Sequence, residues 1–317
     1  MLLLTWISFN KYIRIKKMNI TYTTEIDTLS LQLNFYNNDD QRIVLQNILD
    51  YISKWFNAYI HHESYTVGFD ERIEHKIYCN GRTVVSFMTG YSHNSYYIKI
   101  RFAGLKTYNT VVDDTSYNYL MAIVAYLNTN NIIWSFAELD IAIDMMDVNF
   151  NNILAVCTTK TSKTQYHRLG EHQIYDETTY IEKFKDANSK TTAIKRAYLY
   201  NKSIKEYEVH NYNIGFNVQR FEVKLQAPYF LKYGLDMNAI ENTLNMYHIM
   251  YFENMDEKIN LINRYNNHKS PIRKREIRRW DFEKNRLYFD LNIVNDFFIF
   301  LRSIDNYFIF GTAANFM

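Results

Sequence analysis

The chain contains few of the residues that mark linkers, disulfide scaffolds and metal-binding modules. Proline and glycine number two and eight among 317 residues, and no stretch rich in them suggests a flexible linker. The two cysteines, Cys79 and Cys157, lie far apart and form no CxxC pair, so neither a disulfide framework nor a structural zinc site is expected. Such sparse cysteine usage is typical of a reducing compartment, and we expect a cytoplasmic protein.

Long hydrophobic runs are also missing. The apolar segment 1–9 is too short to span a bilayer, and its basic residues follow it instead of preceding it as in a signal peptide. Asp296 and Asp305 interrupt the apolar stretch 288–310. We therefore expect no membrane partner, and we interpret residues 1–17 as a non-native extension ahead of a true start at Met18.

Three further absences limit the function. The net charge of +2 gives the whole molecule little attraction for nucleic acid, so any phosphate binding must come from local basic patches. No GxxxxGK[ST] loop occurs, so a helicase would have to be supplied by the host. No His-hydrophobe-His motif occurs either, which leaves carboxylates as the candidate metal ligands.

The hydrophobic pattern predicts an α+β domain with a mostly antiparallel sheet covered by helices. In segment 25–35, an approximate alternation places Asp27 on the side of Leu29, Leu31 and Leu33. Helices are predicted over 39–60, with Asp39 or Asp40 as N-cap, and over 116–128. Strands are predicted over 73–88 with a turn at Asn80-Gly81, and over 96–102, 136–145, 194–202 and 218–226. We place this domain at 18–228, followed by a helical, partly basic region at 229–317.

Each of the three last strands presents a polar face. Alternation groups these faces as Glu138, Asp140 and Asp144, then Arg196, Tyr198, Tyr200 and Lys202, then Arg220, Glu222 and Lys224. Each face alone is typical of a solvated strand. Together they suit phosphodiester chemistry, because carboxylates hold a divalent cation, a tyrosine can attack, and cations neutralise the developing charge.

The succession FAELDIAID, KRAYLYNKSIKE and QRFEVKL resembles the replication initiation factors of rolling-circle plasmids and filamentous phages. Ile26, Asp27, Leu29 and Ser30 are similar to an early strand of that family, so the resemblance covers about residues 25 to 226. One departure is that segment 165–175 is a poor match to the glycine- and serine-rich strand that precedes the tyrosine in many members.

The resemblance implies a nicking enzyme that cuts and rejoins one DNA strand. Tyr200 would be the nucleophile, with Tyr198 as the alternative, and Lys202 would contact the phosphate. Asp140, Asp144 and Glu222 would bind Mg²⁺ or Mn²⁺. The product would be a 5′-phosphotyrosyl bond and a free 3′-OH that primes DNA synthesis.

DNA is therefore the expected partner, as an origin hairpin or a single-stranded nick site. The predicted DNA contacts are Arg196, Arg220 and Lys224 beside the site, and Arg273, Lys274 and Arg275 in the basic cluster 269–279. A host helicase and a second copy of the chain are further candidate partners. Three alternatives stay open: a relaxase of a mobile element, a decayed origin-binding protein without activity, and a structural protein whose pattern matches by chance.

Overall fold

The computed structural model describes residues 15–17, 20–67, 70–79, 81–92, 94–105, 113–157, 173–175, 178–181, 195–211 and 213–305. These residues form an α+β fold, which confirms the predicted class. The strands are β1 (Ile15–Lys17), β2 (Ile20–Phe35), β3 (Ile60–Val67), β4 (Asp70–Cys79), β5 (Arg82–Ser92), β6 (Ser95–Ala103), β7 (Ser135–Met146), β8 (Ile153–Cys157), β9 (Gln173–Tyr175), β10 (Thr178–Tyr180), β11 (Lys195–Asn201), β12 (Val218–Gln226), β13 (Tyr247–Tyr251) and β14 (Arg286–Leu287). The helices are α1 (Asn38–Phe56), α2 (Asp113–Thr129), α3 (Lys202–His210), α4 (Ala227–Tyr233), α5 (Met237–Asn245), α6 (Met255–Asn267), α7 (Pro271–Ile277), α8 (Glu283–Asn285) and α9 (Leu291–Asp305).

One large sheet organises the molecule. In the described part of the chain its order is β3-β4-β5-β6-β2-β7-β12-β11-β10-β9, and β1 pairs with β2 outside this path. Every strand pairing that the structure describes is antiparallel. The three strands predicted to carry the site are therefore neighbours, with β12 between β7 and β11 although it comes last in the sequence.

Helices cover the apolar face of the large sheet. Alternate residues of β7, such as Leu139 and Ile141, are buried in one hydrophobic cluster with Ile48 of α1, Ile123 of α2 and Phe298 of α9. Burial of these side chains is the main term that stabilises the layered arrangement, at roughly 25 cal/mol for each Å² of apolar surface. The opposite face of β7 carries the carboxylates.

A β-bulge in β2 changes the face on which Asp27 lies. Ile26 pairs with Ile141 and Thr28 pairs with Asp140, so Asp27 is an extra residue with no partner of its own in β7. An extra residue interrupts the two-residue period. The predicted grouping of Asp27 with Leu29 and Leu31 is therefore wrong, and Asp27 contacts Arg220 on the polar face.

A second sheet of three strands, in the order β14-β13-β8, is buried on both faces. Ile153, Ala155, Cys157, Tyr247 and Ile249 belong to the first hydrophobic cluster. Leu154, Val156, Met250 and Phe252 belong to a second cluster, together with residues of α6 and α7. β13 pairs with β8, and α9 packs against β2. Contacts therefore cross the predicted domain boundary at Pro228.

Several predicted element boundaries shift in the structure. The N-cap of α1 is Asn37, whose side chain accepts a hydrogen bond from the Asp40 amide, instead of Asp39 or Asp40. Strand β11 ends at Asn201, and Lys202 begins α3 instead of ending the strand. Residues 1–14 lie outside the described residues, and 15–17 pair with β2. Among the helices that the structure describes, none is long and apolar enough to cross a membrane.

Candidate functional site: an acidic trio beside a buried tyrosine

The antiparallel register brings the predicted residues onto one sheet face. Across β11, β12 and β7, Tyr200 aligns with Arg220 and Asp144, and Arg196 aligns with Lys224 and Asp140. Between these rows, Tyr198 aligns with Glu222. Asp140, Tyr200 and Glu222 therefore lie on the same face of neighbouring antiparallel strands.

Three carboxylates from three strands converge at this face. Asp27, Asp140 and Glu222 each offer an oxygen, and these oxygens lie within 4.8 Å of one another. Asp140 is only 2% exposed, and its Oδ1 is buried without a hydrogen-bond partner in the described part of the chain. Grouped oxygen ligands of this kind fit a hard divalent cation, and the unpaired oxygen is an open ligand position.

The ionisation of Asp140 reflects excess negative charge at the trio. The pKa of Asp140 is raised to about 7: burial is the main cause, Glu222 and Asp27 also raise it, and Lys224, 3.0 Å away, lowers it. An ordinary Asp titrates about three pH units lower. A cation bound among these oxygens would favour the ionised form of Asp140.

Asp144 was predicted to bind the metal, but in the structure it is paired with two cations. The Arg220 guanidinium donates to both of its oxygens, at 2.5 and 2.7 Å, and Lys202 Nζ lies 3.3 Å away. Asp144 and Arg220 have no exposed surface, and Arg220 also contacts Asp27 at 2.8 Å. Asp144 and Asp27 raise the pKa of Arg220 well above its ordinary value although burial alone would lower it.

The structure therefore gives Arg220 and Lys202 environments that do not match their predicted roles. Arg220 was expected to contact DNA and Lys202 to contact the phosphate, but both are buried and face carboxylates. Taking two charges out of water is costly unless they are paired and hydrogen-bonded, and the bidentate geometry meets that condition. In this geometry they position Asp27 and Asp144.

Tyr200 is bonded directly to the trio. It is 6% exposed, its hydroxyl donates to Glu222 Oε2 at 2.9 Å, and Lys205 Nζ lies 4.4 Å above its ring. Burial raises the pKa of Tyr200 well above its ordinary value, and the negative Glu222 adds to the effect. The phenol is consequently neutral, and Glu222 is the carboxylate placed to accept its proton.

The remaining polar residues form the outer part of the site. Tyr198 packs edge-on against Tyr180 at 5.2 Å, and its pKa is raised by burial although Arg196 hydrogen-bonds it. Arg196 and Lys224 are both half-buried, so they are the predicted DNA contacts of this face that solvent reaches. Glu138 pairs with Lys99 at 2.8 Å and stands outside the trio.

Arg273, Lys274 and Arg275 lie elsewhere. All three are on α7, whose buried residue Ile277 belongs to the second hydrophobic cluster. The sequence reasoning missed Asp27 and Lys205 as site residues. The early strand motif includes Asp27 and could have indicated it. The bulge that turns Asp27 toward Arg220 cannot be predicted from the alternation of polar and apolar residues.

Comparison with known proteins adds no relative. No protein-family model matches the sequence, and no curated protein is significantly similar to it. The resemblance to replication initiation factors therefore depends on four short strand motifs, and the function stands as a proposal.

Proposed function

We propose that the chain is a rolling-circle replication initiator that nicks and rejoins one DNA strand through Tyr200. The observation that carries the proposal is the hydrogen bond from the Tyr200 hydroxyl to Glu222, a member of the trio with Asp27 and Asp140. A nucleophile in contact with a proton acceptor, beside oxygen ligands for a cation, is the arrangement that phosphodiester cleavage needs.

The residues divide the chemistry as follows. Asp27, Asp140 and Glu222 would hold Mg²⁺ or Mn²⁺, which supplies Lewis-acid polarisation of the scissile phosphate when bound. Glu222 takes the phenol proton as the Tyr200 oxygen forms a bond to phosphorus. The bond from phosphorus to the 3′-oxygen breaks, and that oxygen takes a proton from water. Reversal of these steps rejoins the strand.

Arg196 and Lys224 would attract the DNA backbone at this face. Lys224 lies 3.0 Å from Asp140, and together with Arg196 it offers positive charge at the solvent-accessible side of the site. A relaxase of a mobile element would use the same chemistry, so the substrate DNA and not the site distinguishes the two.

The test is formation of a covalent adduct. The wild-type protein, incubated with Mg²⁺ and a supercoiled plasmid carrying its own gene, should relax the plasmid and leave protein attached to DNA on a denaturing gel. Tyr200→Phe removes only the hydroxyl, so the fold should persist while cleavage and adduct both disappear.

Tyr198→Phe is the matched control, because it removes a hydroxyl from the next site-facing residue of β11. This variant should still form the adduct. An adduct that persists in Tyr200→Phe and is lost in Tyr198→Phe would assign the nucleophile to Tyr198. If the wild type forms no adduct, the tyrosine mechanism fails.

A further inference from the structure

Two histidines face each other across the strands at one end of the large sheet. His62 of β3 and His75 of β4 are direct partners in the antiparallel register, so their side chains lie on the same face. Their Nδ1 atoms are 2.7 Å apart, and the two rings meet edge-on with their centroids 4.8 Å apart. Each imidazole therefore directs its Nδ1 atom at the other.

This histidine pair is bounded by apolar residues on one side and by solvent on the other. His75 is half-buried and pairs in register with Phe87 of β5, which has no exposed surface. His62 is exposed, and β3 lies at the end of the strand order in the described part of the chain. A group held between the two Nδ1 atoms would be oriented by the packed ring of His75 and reached from solvent beside His62.

The opposite face of the same two strands carries an ionic network. Lys76 Nζ lies 2.5 Å from Glu63, and the Tyr78 hydroxyl donates to Glu63 at 2.6 Å. His61 also belongs to that face, since its ring lies 4.9 Å from the ring of Tyr78. Alternation along β3 separates His61 and Glu63 from His62. Glu63 is therefore engaged with other partners, and the histidine pair offers nitrogen ligands.

The chemistry of the pair suits a metal ion. The pKa of His75 is lowered from its ordinary value, chiefly by burial and also by the charge of His62, so the neutral form that binds metals is favoured. In a neutral pair, one Nδ1 atom carries a hydrogen and donates it to the other. A metal ion would take the place of that hydrogen, and both rings would then be protonated at Nε2.

The separation of the two nitrogens matches two ligands of one ion. With metal–nitrogen bonds of about 2.0–2.1 Å, neighbouring nitrogens are about 2.9 Å apart in tetragonal geometry and about 3.3 Å apart in tetrahedral geometry. The observed 2.7 Å is nearer the tetragonal value. Tetragonal sites with nitrogen and oxygen ligands are typical of Cu²⁺ and Ni²⁺.

We propose that His62 and His75 chelate a divalent transition metal ion, Cu²⁺ or Ni²⁺, through their Nδ1 atoms, with water as the remaining ligands. The ion would join β3 to β4 at the end of the sheet. This site differs from the trio of Asp27, Asp140 and Glu222 in ligand chemistry, and β4 lies five strand positions from β12 in the sheet order. The proposal goes beyond nicking and does not depend on it.

The test uses the full chain without an affinity tag, and the metal ions alone as probes. Electron paramagnetic resonance with less than one equivalent of Cu²⁺ should show hyperfine splitting from two nitrogens, and titration calorimetry should show Ni²⁺ binding. His62→Gln should remove one nitrogen from the spectrum. It should also weaken Ni²⁺ binding at least about tenfold, because loss of a residue that only orients a ligand costs about 10- to 100-fold. His62 is exposed, so the melting temperature in EDTA should not change.

His61→Gln is the matched control, because it removes the adjacent imidazole from the opposite face. This variant should keep both nitrogen splittings and the wild-type affinity for Ni²⁺. Asp27→Asn changes the trio, which has only carboxylate ligands, and should leave the nitrogen splitting unchanged.

Three results would overturn the proposal. They are two nitrogen splittings that survive in His62→Gln, an equal loss in His61→Gln, and a wild type that binds Ni²⁺ no more tightly than His62→Gln. The last result would leave a hydrogen-bonded histidine pair only. Failure of the wild type to nick DNA would sink the proposed function and leave this metal site intact.

Discussion

Glu222 has two neighbours that make different demands on its two oxygens. Its Oε2 accepts the Tyr200 hydrogen bond at 2.9 Å, while the cation binding proposed for the trio with Asp27 and Asp140 would need an oxygen directed at the ion. A carboxylate can meet both demands because each oxygen has two lone pairs. Under the proposed function, replacing Glu222 would therefore disturb proton transfer and cation binding together, so the proposed metal is better tested at another member of the trio.

Asp27 belongs to the observed trio but was not among the predicted metal ligands. At pH 8 a saturating concentration of Mn²⁺ should raise the melting temperature relative to EDTA, since a ligand at 100 times its Kd stabilises the folded state by about 2.7 kcal/mol. Asp27→Asn removes one charged ligand, and we expect most of this shift to be lost. Differential scanning fluorimetry with and without Mn²⁺ measures it.

Glu138→Gln is the control for Asp27→Asn. Glu138 lies on the same polar face, but it pairs with Lys99 and stands outside the trio. Its variant should keep the full Mn²⁺ shift. The ligand assignment fails if Asp27→Asn keeps the shift, or if Asp144→Asn alone abolishes it.

At the scale of the elements, alternation predicted the strands that have one polar and one apolar face. β7, β11 and β12 fall within one or two residues of their predicted bounds. β8 and β13 were not predicted, because ILAVC and YHIMY lie between two hydrophobic clusters and so show no polar face. The partnership of β8 with β13 joins residues about 90 positions apart in the sequence, which no local pattern records.

His248 on β13 makes the second sheet sensitive to acid. The pKa of His248 is lowered to about 4, chiefly by burial and also by the charge of Arg286. Above pH 6.5 the side chain is neutral in both states and costs nothing. As the pH falls from 6.5 toward 4, the unfolded chain gains a proton that the folded chain does not, so stability is lost by on the order of 3 kcal/mol.

Urea unfolding measured between pH 7 and pH 4 tests this contribution. The wild type should lose stability over that range by more than His248→Gln does. His61→Gln, which changes an exposed histidine of β3, should lose as much as the wild type. Parallel curves for the wild type and His248→Gln would contradict the argument.

At the scale of the whole molecule, the second sheet lies between the two hydrophobic clusters and contributes residues to both. Neighbouring residues of β8, such as Ile153 and Leu154, enter different clusters, and so do Ile249 and Met250 of β13. The sequence indicated the α+β class and the polar strand faces. It did not indicate this shared sheet, because the division between 18–228 and 229–317 was drawn from composition, which carries no information about pairing across the boundary.

The shared sheet predicts that the molecule unfolds as one unit, although chains longer than about 150 residues often unfold in stages. Phe252→Ala opens a cavity in the second cluster, where Phe252 is 1% exposed, and should cost about 3–5 kcal/mol. If the clusters are coupled through β8 and β13, this loss should move the whole urea transition. Far-ultraviolet circular dichroism would report the global fold, and the Mn²⁺ response would report the large sheet in the same titration.

Phe298→Ala, in α9 of the first cluster, should shift both signals in the same way. Two separated transitions in Phe252→Ala, with the Mn²⁺ response surviving the first, would show that the second cluster unfolds independently.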